Sequence, residues 1–123
     1  MELNEITRLV IGAAMRVHSA LGPGLLESAY RTCLCHELSK CGLRFEKEIA
    51  LPITYDGITL ETGYRIDLVV EDDVIVELKA VSKPHPIHEA QLLSYLKLSK
   101  RPLGLLINFH VIHLRDGIKR FAN

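Results

Sequence analysis

The stretch Tyr64–Ala80, YRIDLVVEDDVIVELKA, sets two carboxylates and a lysine on what should be one wall of a β-hairpin. Side chains of a strand alternate with a period of two. In the first run Tyr64, Ile66, Leu68 and Val70 therefore share one face, and Arg65, Asp67 and Val69 the other. In the second, Val74, Val76, Leu78 and Ala80 form an apolar face, leaving Ile75, Glu77 and Lys79 opposite. Glu71-Asp72-Asp73 lies between the runs as a polar turn. If those three residues form the loop, Val70 pairs with Val74 and Asp67 comes directly across from Glu77. Directly opposed Cβ atoms stand ~4.5 to 5.5 Å apart, close enough for two carboxylates to hold one cation. A two-residue loop would send them to opposite faces, so the register decides the site.

Upstream, Asn4 can cap a helix whose apolar positions Ile6, Leu9, Val10, Ala13, Val17, Ala20 and Leu21 follow helical spacing, stopped by Gly22-Pro23-Gly24. A second helix is expected from Leu25 to Lys40 or Cys41, burying Leu26, Ala29, Tyr30, Cys33, Leu34, Leu38 and Cys41, with Gly42 beyond its end. Phe45 to Tyr55 alternates as a strand that Pro52 marks as an edge or a break. Asp56-Gly57 is a hairpin turn into Ile58-Thr59-Leu60.

Downstream, Ser82-Lys83-Pro84-His85-Pro86 is a stiff loop before a helix from about Ile87 to Ser99. On that helix Gln91 and Tyr95, four apart, project from one face. Leu103 to Phe109 is an almost continuous apolar run, the signature of a strand buried on both faces. Val111 to Leu114 reads as a last short strand, turned by Arg115-Asp116-Gly117 toward a basic tail of Lys119 and Arg120. The order is two helices, three or four antiparallel strands, one helix and a closing strand pair, an α/β sandwich around a mixed sheet.

A chain of 123 residues with 48% hydrophobic content fits one domain over residues 1–123 with a sizeable core. Its apolar runs fall far short of a membrane span, and the acidic start Met1-Glu2-Leu3-Asn4-Glu5 lacks the basic region of a signal peptide. Cys33, Cys35 and Cys41 have no CxxC spacing and are odd in number, so they read as reduced thiols of a cytoplasmic protein. Fifteen basic against fifteen acidic residues argue against a broad polyanion-binding surface. Five of those acids, however, are Asp67, Glu77 and the turn trio, and a bound divalent cation would leave the rest mildly basic.

Asp67, Glu77 and Lys79 in this order suit phosphodiester hydrolysis. Two carboxylates supply hard oxygen ligands for Mg²⁺, which can polarise a scissile phosphate and acidify an attacking water. A lysine two residues past the second carboxylate reaches the same side, where its ammonium can stabilise the nucleophile or the charge growing on phosphorus. Spacing alone favours a solvated sheet face in which Arg65, Asp67, Glu77 and Lys79 make cross-strand ion pairs. Other residues have plain readings too. Glu27 is favoured by the dipole at a helix start, Tyr30 and Tyr95 suit a core with bonded hydroxyls, and His18 suits packing before the Gly-Pro-Gly break. His85 and His88 have zinc spacing without further ligands. Lys97, Lys100 and Arg101 end a solvated helix and can also meet a phosphate.

Gly24-Leu25-Leu26-Glu27-Ser28-Ala29-Tyr30 resembles the GxxExxY signature of the GxxExxY protein family, a branch of the PD-(D/E)xK nuclease superfamily. Tyr64-Arg65-Ile66-Asp67, Glu77-Leu78-Lys79 and Gln91-Leu92-Leu93-Ser94-Tyr95 resemble, in the same order, that superfamily's aspartate, ExK and QxxxY motifs. The similarity runs through Gly104–Phe109. Two departures stand out: Ile66 replaces the proline before the aspartate, and His110 stands where glycine is expected after Phe109. The resemblance implies a restriction-endonuclease-like αβββαβ core, a mixed central sheet flanked by helices. It also implies Mg²⁺-dependent or Mn²⁺-dependent cleavage of nucleic acid, DNA first, with a homodimer allowed. Carried over by residue, Asp67, Glu77 and the Leu78 carbonyl would bind the metal with help from Glu27, and Lys79 would be the catalytic cation. Gln91 and Tyr95 would brace the site or touch the phosphate. The competing expectation is a noncatalytic accessory module that keeps this fold to bind nucleic acid or a protein.

Overall fold

A computed structural model describes residues 1–61 and 63–123. The chain begins with two packed helices, α1 (Leu3–Leu21) and α2 (Glu27–Lys40). Strands β1 (Phe45–Ala50), β2 (Ile53–Tyr55), β3 (Ile58–Leu60), β4 (Arg65–Val70) and β5 (Val74–Lys79) follow. Helix α3 (Pro86–Ser99) then leads to β6 (Leu103–Asn108), a single 3₁₀ turn at Leu114–Gly117 and β7 (Ile118–Ala122). Five strands form one mixed sheet in the order β1-β4-β5-β6-β7, with β5 and β6 parallel and the other neighbours antiparallel. Strands β2 and β3 make a separate ribbon around the Asp56-Gly57 turn.

Each face of the sheet has its own core. Helices α1 and α2 bring Ile6, Val10, Ala13, Tyr30, Leu34 and Leu38 against Leu68, Val70, Val76, Leu78, Leu105 and Phe109. Helix α3 covers the other face, where Leu92, Tyr95 and Leu96 meet Ile66, Val69, Ile75 and Leu106. Every residue of β6 is buried, as a strand covered on both faces must be.

The opening hairpin has the expected turn. Glu71-Asp72-Asp73 is the loop, closed by the Asp73 N–H donating to the Val70 carbonyl at 3.1 Å, and Val70 pairs with Val74. The period of two, however, does not survive the whole of β4. Leu68 and Val70 lie in the first core, but Ile66 joins Val69 in the second. The reason lies next door in β1, where Glu48 has a left-handed φ of 53°. The β1–β4 register runs Lys47↔Leu68 and then Ile49↔Ile66, omitting the Glu48–Asp67 step. Phe45 packs on the first core and Ile49 on the second. Both strands thus exchange faces at Glu48 and Asp67.

Other expectations are corrected. Asn4 does not cap α1; Glu2 occupies that position, and Asn4 Oδ1 accepts from Arg120 Nη2 at 2.7 Å. Helix α2 starts at Glu27, which leaves Leu26 as an extended capping residue that is 77% exposed. Pro52 ends the long strand, and Tyr55 belongs to the ribbon. No strand forms at Val111–Leu114, and the basic tail is itself the edge strand β7, with Lys119 pairing Leu106 and Arg120 pairing Leu105. At the sheet's edge both the lysine and the arginine reach water, and such charges are common on edge strands. Gly117 makes this turn possible, since a Cβ there would collide with the Asn108 carbonyl.

Candidate metal and phosphodiester site

The β4–β5 ladder stops at Leu68↔Val76, one step before the two acids. Beyond it the strands are tied by the carboxylates themselves. The Asp67 N–H donates to Glu77 Oε2 at 3.0 Å, and the Leu78 N–H donates to Asp67 Oδ2 at 2.9 Å. Each acid therefore replaces a ladder bond of the opposite strand. The N–H and C=O of one strand residue point to the same edge, so the Leu78 carbonyl faces this gap as well.

Glu77 is 5% exposed. Burial, then the charge of Asp67, pushes its carboxyl up to about 9. Loss of water and the neighbouring carboxylate thus both disfavour the charged form of Glu77, which a cation in the gap would restore.

Helix α2 supplies the next groups. Gly24, with a φ of 103°, turns the chain from α1 into α2 along a path few other residues adopt. The Tyr30 hydroxyl closes that turn, donating to the Gly22 carbonyl and accepting from the Leu25 N–H at 3.1 Å. Its ring stacks on Phe109 with centroids 4.5 Å apart. Glycine and tyrosine of the GxxExxY motif thus fix the start of α2, and Glu27 in its first turn is carried toward the sheet. Burial raises the Glu27 carboxyl, and Asp67 raises it further, while Lys79 and Arg31 oppose. Tyr30→Phe, which removes both hydroxyl bonds, is expected to cost about 1–2 kcal/mol of stability, measured by denaturant unfolding.

Lys79 ends β5. Its strand is pinned there by Asn108, whose Nδ2 donates to the Val81 carbonyl at 2.9 Å and whose Oδ1 accepts from the Val81 N–H at 3.1 Å. The Phe109 N–H donates to the Lys79 carbonyl at 2.9 Å. Lys79 also borders a cavity of about 60 Å³ with His85, His88, Asp116 and Lys119. Its charge opposes ionisation of His88, after burial, and favours ionisation of Glu27 and Glu77. The ammonium therefore stands between the acids and the start of α3.

On α3, Gln91 and Tyr95 line one cleft of about 380 Å³ with Leu51, Ile53 and Tyr64. Tyr95 is 6% exposed and meets the Tyr64 ring edge-on at 6.4 Å. Burial, followed by the charge of Glu77, raises its hydroxyl. Tyr95 thus forms the α3 wall of this cleft.

Arg31 and Glu48 did not emerge from the sequence pattern. Arg31 Nη1 lies 3.7 Å from Asp67 Oδ1, and its Nη2 lies 3.4 Å from Glu48 Oε1. A signal for Arg31 existed, because it follows Glu27 by four residues and shares its helix face. None existed for Glu48, which depends on an unusual backbone. Asn108 was legible only as a polar residue ending an apolar run. His18 is packed, with Nε2 2.8 Å from the Val111 carbonyl oxygen and its ring 6.4 Å from Phe109. His85 caps α3, its Nδ1 accepting from the Ile87 N–H at 3.0 Å, which removes one nitrogen from any zinc set with His88. His110 is accommodated without a left-handed backbone, so glycine is not required there.

Among the described residues no three acids or histidines close into a metal cluster. The donor chemistry nevertheless fits a hard divalent cation. Arg31 faces Glu48 and Asp67, with Glu27 one turn before it on α2, and Lys79 carries the positive charge nearest Glu77. Four carboxylates facing two cations leave the ionised site two charges short of neutrality, which is the charge of one such ion.

A five-strand mixed sheet flanked by helices, with two acids and a lysine where adjacent strands part, defines a restriction-endonuclease-like domain. The family model of the PD-(D/E)XK nuclease superfamily matches residues 4–121, and the chain belongs to that superfamily. Members are generally dependent on divalent metal. No curated protein and no solved structure matches the chain. Among the described residues no helix is long and apolar enough to cross a membrane.

Proposed function

We propose that the chain is one nuclease-like domain of the GxxExxY type that hydrolyses phosphodiester bonds of nucleic acid, DNA first, with Mg²⁺ or Mn²⁺. The observation that carries the reading is the reciprocal bridge of Asp67 and Glu77, each accepting a backbone N–H of the other strand, with Lys79 immediately beyond. The bridge leaves one oxygen of each carboxylate without a backbone donor, and with the Leu78 carbonyl these would hold the ion. Once bound, a divalent cation supplies Lewis-acid polarisation of the phosphate and a lower pKa for an attacking water.

The rest of the work falls to side chains. Glu77, deprotonated when the ion is present, fixes the strand gap through the Asp67 N–H. Lys79 places a positive charge beside the reacting phosphate, where charge grows along the reaction. Glu27 orients water or the ion from the α2 side. Gln91 and Tyr95 brace the wall made by α3 and meet the nucleic-acid backbone at its edge.

Purified protein incubated with single-stranded, duplex and branched DNA and with RNA, with and without Mn²⁺, tests this. Cleavage of at least one substrate only when Mn²⁺ is present is the expected result. No cleavage of any substrate, together with no calorimetric Mn²⁺ binding, would leave the chain an accessory module on a nuclease-like fold.

A further inference from the structure

The charge left without a role in that scheme is Arg31. Asp67 Oδ2 is committed to the Leu78 N–H, so Oδ1 is the oxygen open to a cation, and Arg31 Nη1 stands 3.7 Å from it. The same guanidinium reaches Glu48 Oε1 at 3.4 Å. Both separations exceed the ~2.7–2.9 Å of a charge-assisted hydrogen bond, so the group is shared between two acids and locked to neither. The two acids differ in surroundings. The Asp67 side chain is 19% exposed and that of Glu48 54%.

Glu48 is held in place at a cost. Its left-handed φ falls in mid-strand, at the one step missing between β1 and β4, beside Asp67. A glutamate in that region is strained, and such strain persists where the surrounding structure imposes it, commonly at functional sites. Here the distortion turns an acid toward the guanidinium that also faces Asp67.

We propose that Arg31 is a positioning residue for metal entry: it neutralises Asp67 Oδ1 in the metal-free protein and moves onto Glu48 when a divalent cation takes that oxygen. This inference rests on the metal-dependent reading above. The physical basis is competition. A guanidinium and a divalent ion on one carboxylate oxygen repel each other, so the ion's apparent affinity is reduced by the fraction of molecules in which Arg31 holds Asp67. Glu48 lowers that fraction by offering Arg31 a second partner. The arrangement keeps Asp67 compensated when no metal is present and leaves it accessible when one is.

Calorimetric titration with Mn²⁺ alone, on the full chain without nucleic acid, tests the exchange. Arg31→Met is expected to bind Mn²⁺ roughly 5- to 150-fold more tightly than wild type, the range of couplings common between linked binding events. Glu48→Gln is expected to bind it several-fold more weakly. The decisive arm is the double substitution. If Glu48 acts through Arg31, the Glu48→Gln effect disappears in the Arg31→Met background; a general charge effect would persist there additively. Thermal unfolding with and without Mn²⁺ reports whether each variant is folded and ranks the affinities independently, and Arg31→Gln replaces Arg31→Met if the latter does not fold.

Asp67→Asn separates the two readings. Mn²⁺ binding that Asp67→Asn abolishes but Arg31→Met fails to tighten overturns the exchange and leaves the metal site standing. An additive Glu48→Gln effect does the same. Wild type and Arg31→Met that both fail to bind Mn²⁺ overturn the metal site and the exchange with it.

Discussion

Lys79→Met is expected to lower Mn²⁺-dependent cleavage by roughly 10²- to 10⁴-fold while leaving Mn²⁺ binding close to wild type. Asp67→Ala is expected to lose both. The contrast follows from position. Asp67 accepts the Leu78 N–H and presents its other oxygen to the gap between β4 and β5, so its loss removes a ligand and a strand tie together. Lys79 lies beyond the tie, on a segment held by Asn108 and by the Phe109 N–H, and its removal leaves that segment in place. Its ammonium acts on charge that develops during reaction, which metal affinity does not report. Single-turnover cleavage beside Mn²⁺ calorimetry on the same samples checks the split. Lys79→Met cleaving like wild type would remove lysine from the chemistry, and Asp67→Ala retaining Mn²⁺ would remove aspartate from the metal site.

The sequence specified the fold well where patterns were local. Helical spacing in α1, the apolar run of β6, the Asp56-Gly57 turn and the three-residue loop of the β4–β5 hairpin all appear where composition and period place them. Local pattern does not suffice where a distant partner decides. The tail at Lys119 and Arg120 looks solvated in isolation and becomes a strand because the open edge of β6 offers it a ladder. Unbroken alternation places Ile66 on the face of Leu68, and the left-handed Glu48 in a neighbouring strand interrupts it. For the site, the acid register could be read from turn length, and Glu27 from motif resemblance. Arg31 shares the helix face of Glu27, but its pairing with Glu48 has no mark in the sequence, because an ion pair between a helix and a sheet has no period.

Glu77→Gln is expected to make the metal-free protein more stable than wild type by about 3 kcal/mol at pH 7. The sign follows from linkage. In the folded chain, burial and the neighbouring Asp67 hold the Glu77 carboxyl near 9, against an ordinary value of 4.5. Between those values the folded state binds a proton that the unfolded state has released, so stability falls as pH rises. Each unit of pH across that interval costs about 1.4 kcal/mol, which sets the size of the effect at pH 7. A glutamine avoids the penalty and retains the geometry, because its carbonyl can still accept the Asp67 N–H and its amide can donate to the Asp67 carboxylate. Denaturant unfolding of both proteins from pH 5 to 9 in chelator checks this: the wild-type curve should descend more steeply, and the two should converge near pH 5. Added Mn²⁺ should then reverse the ranking, since the ion favours the carboxylate and only wild type supplies it. Parallel pH curves, or a glutamine variant less stable than wild type at pH 8, would show that Glu77 is already compensated in the metal-free protein. The acid that destabilises the empty domain is, on this account, the one whose charge a divalent cation is needed to balance.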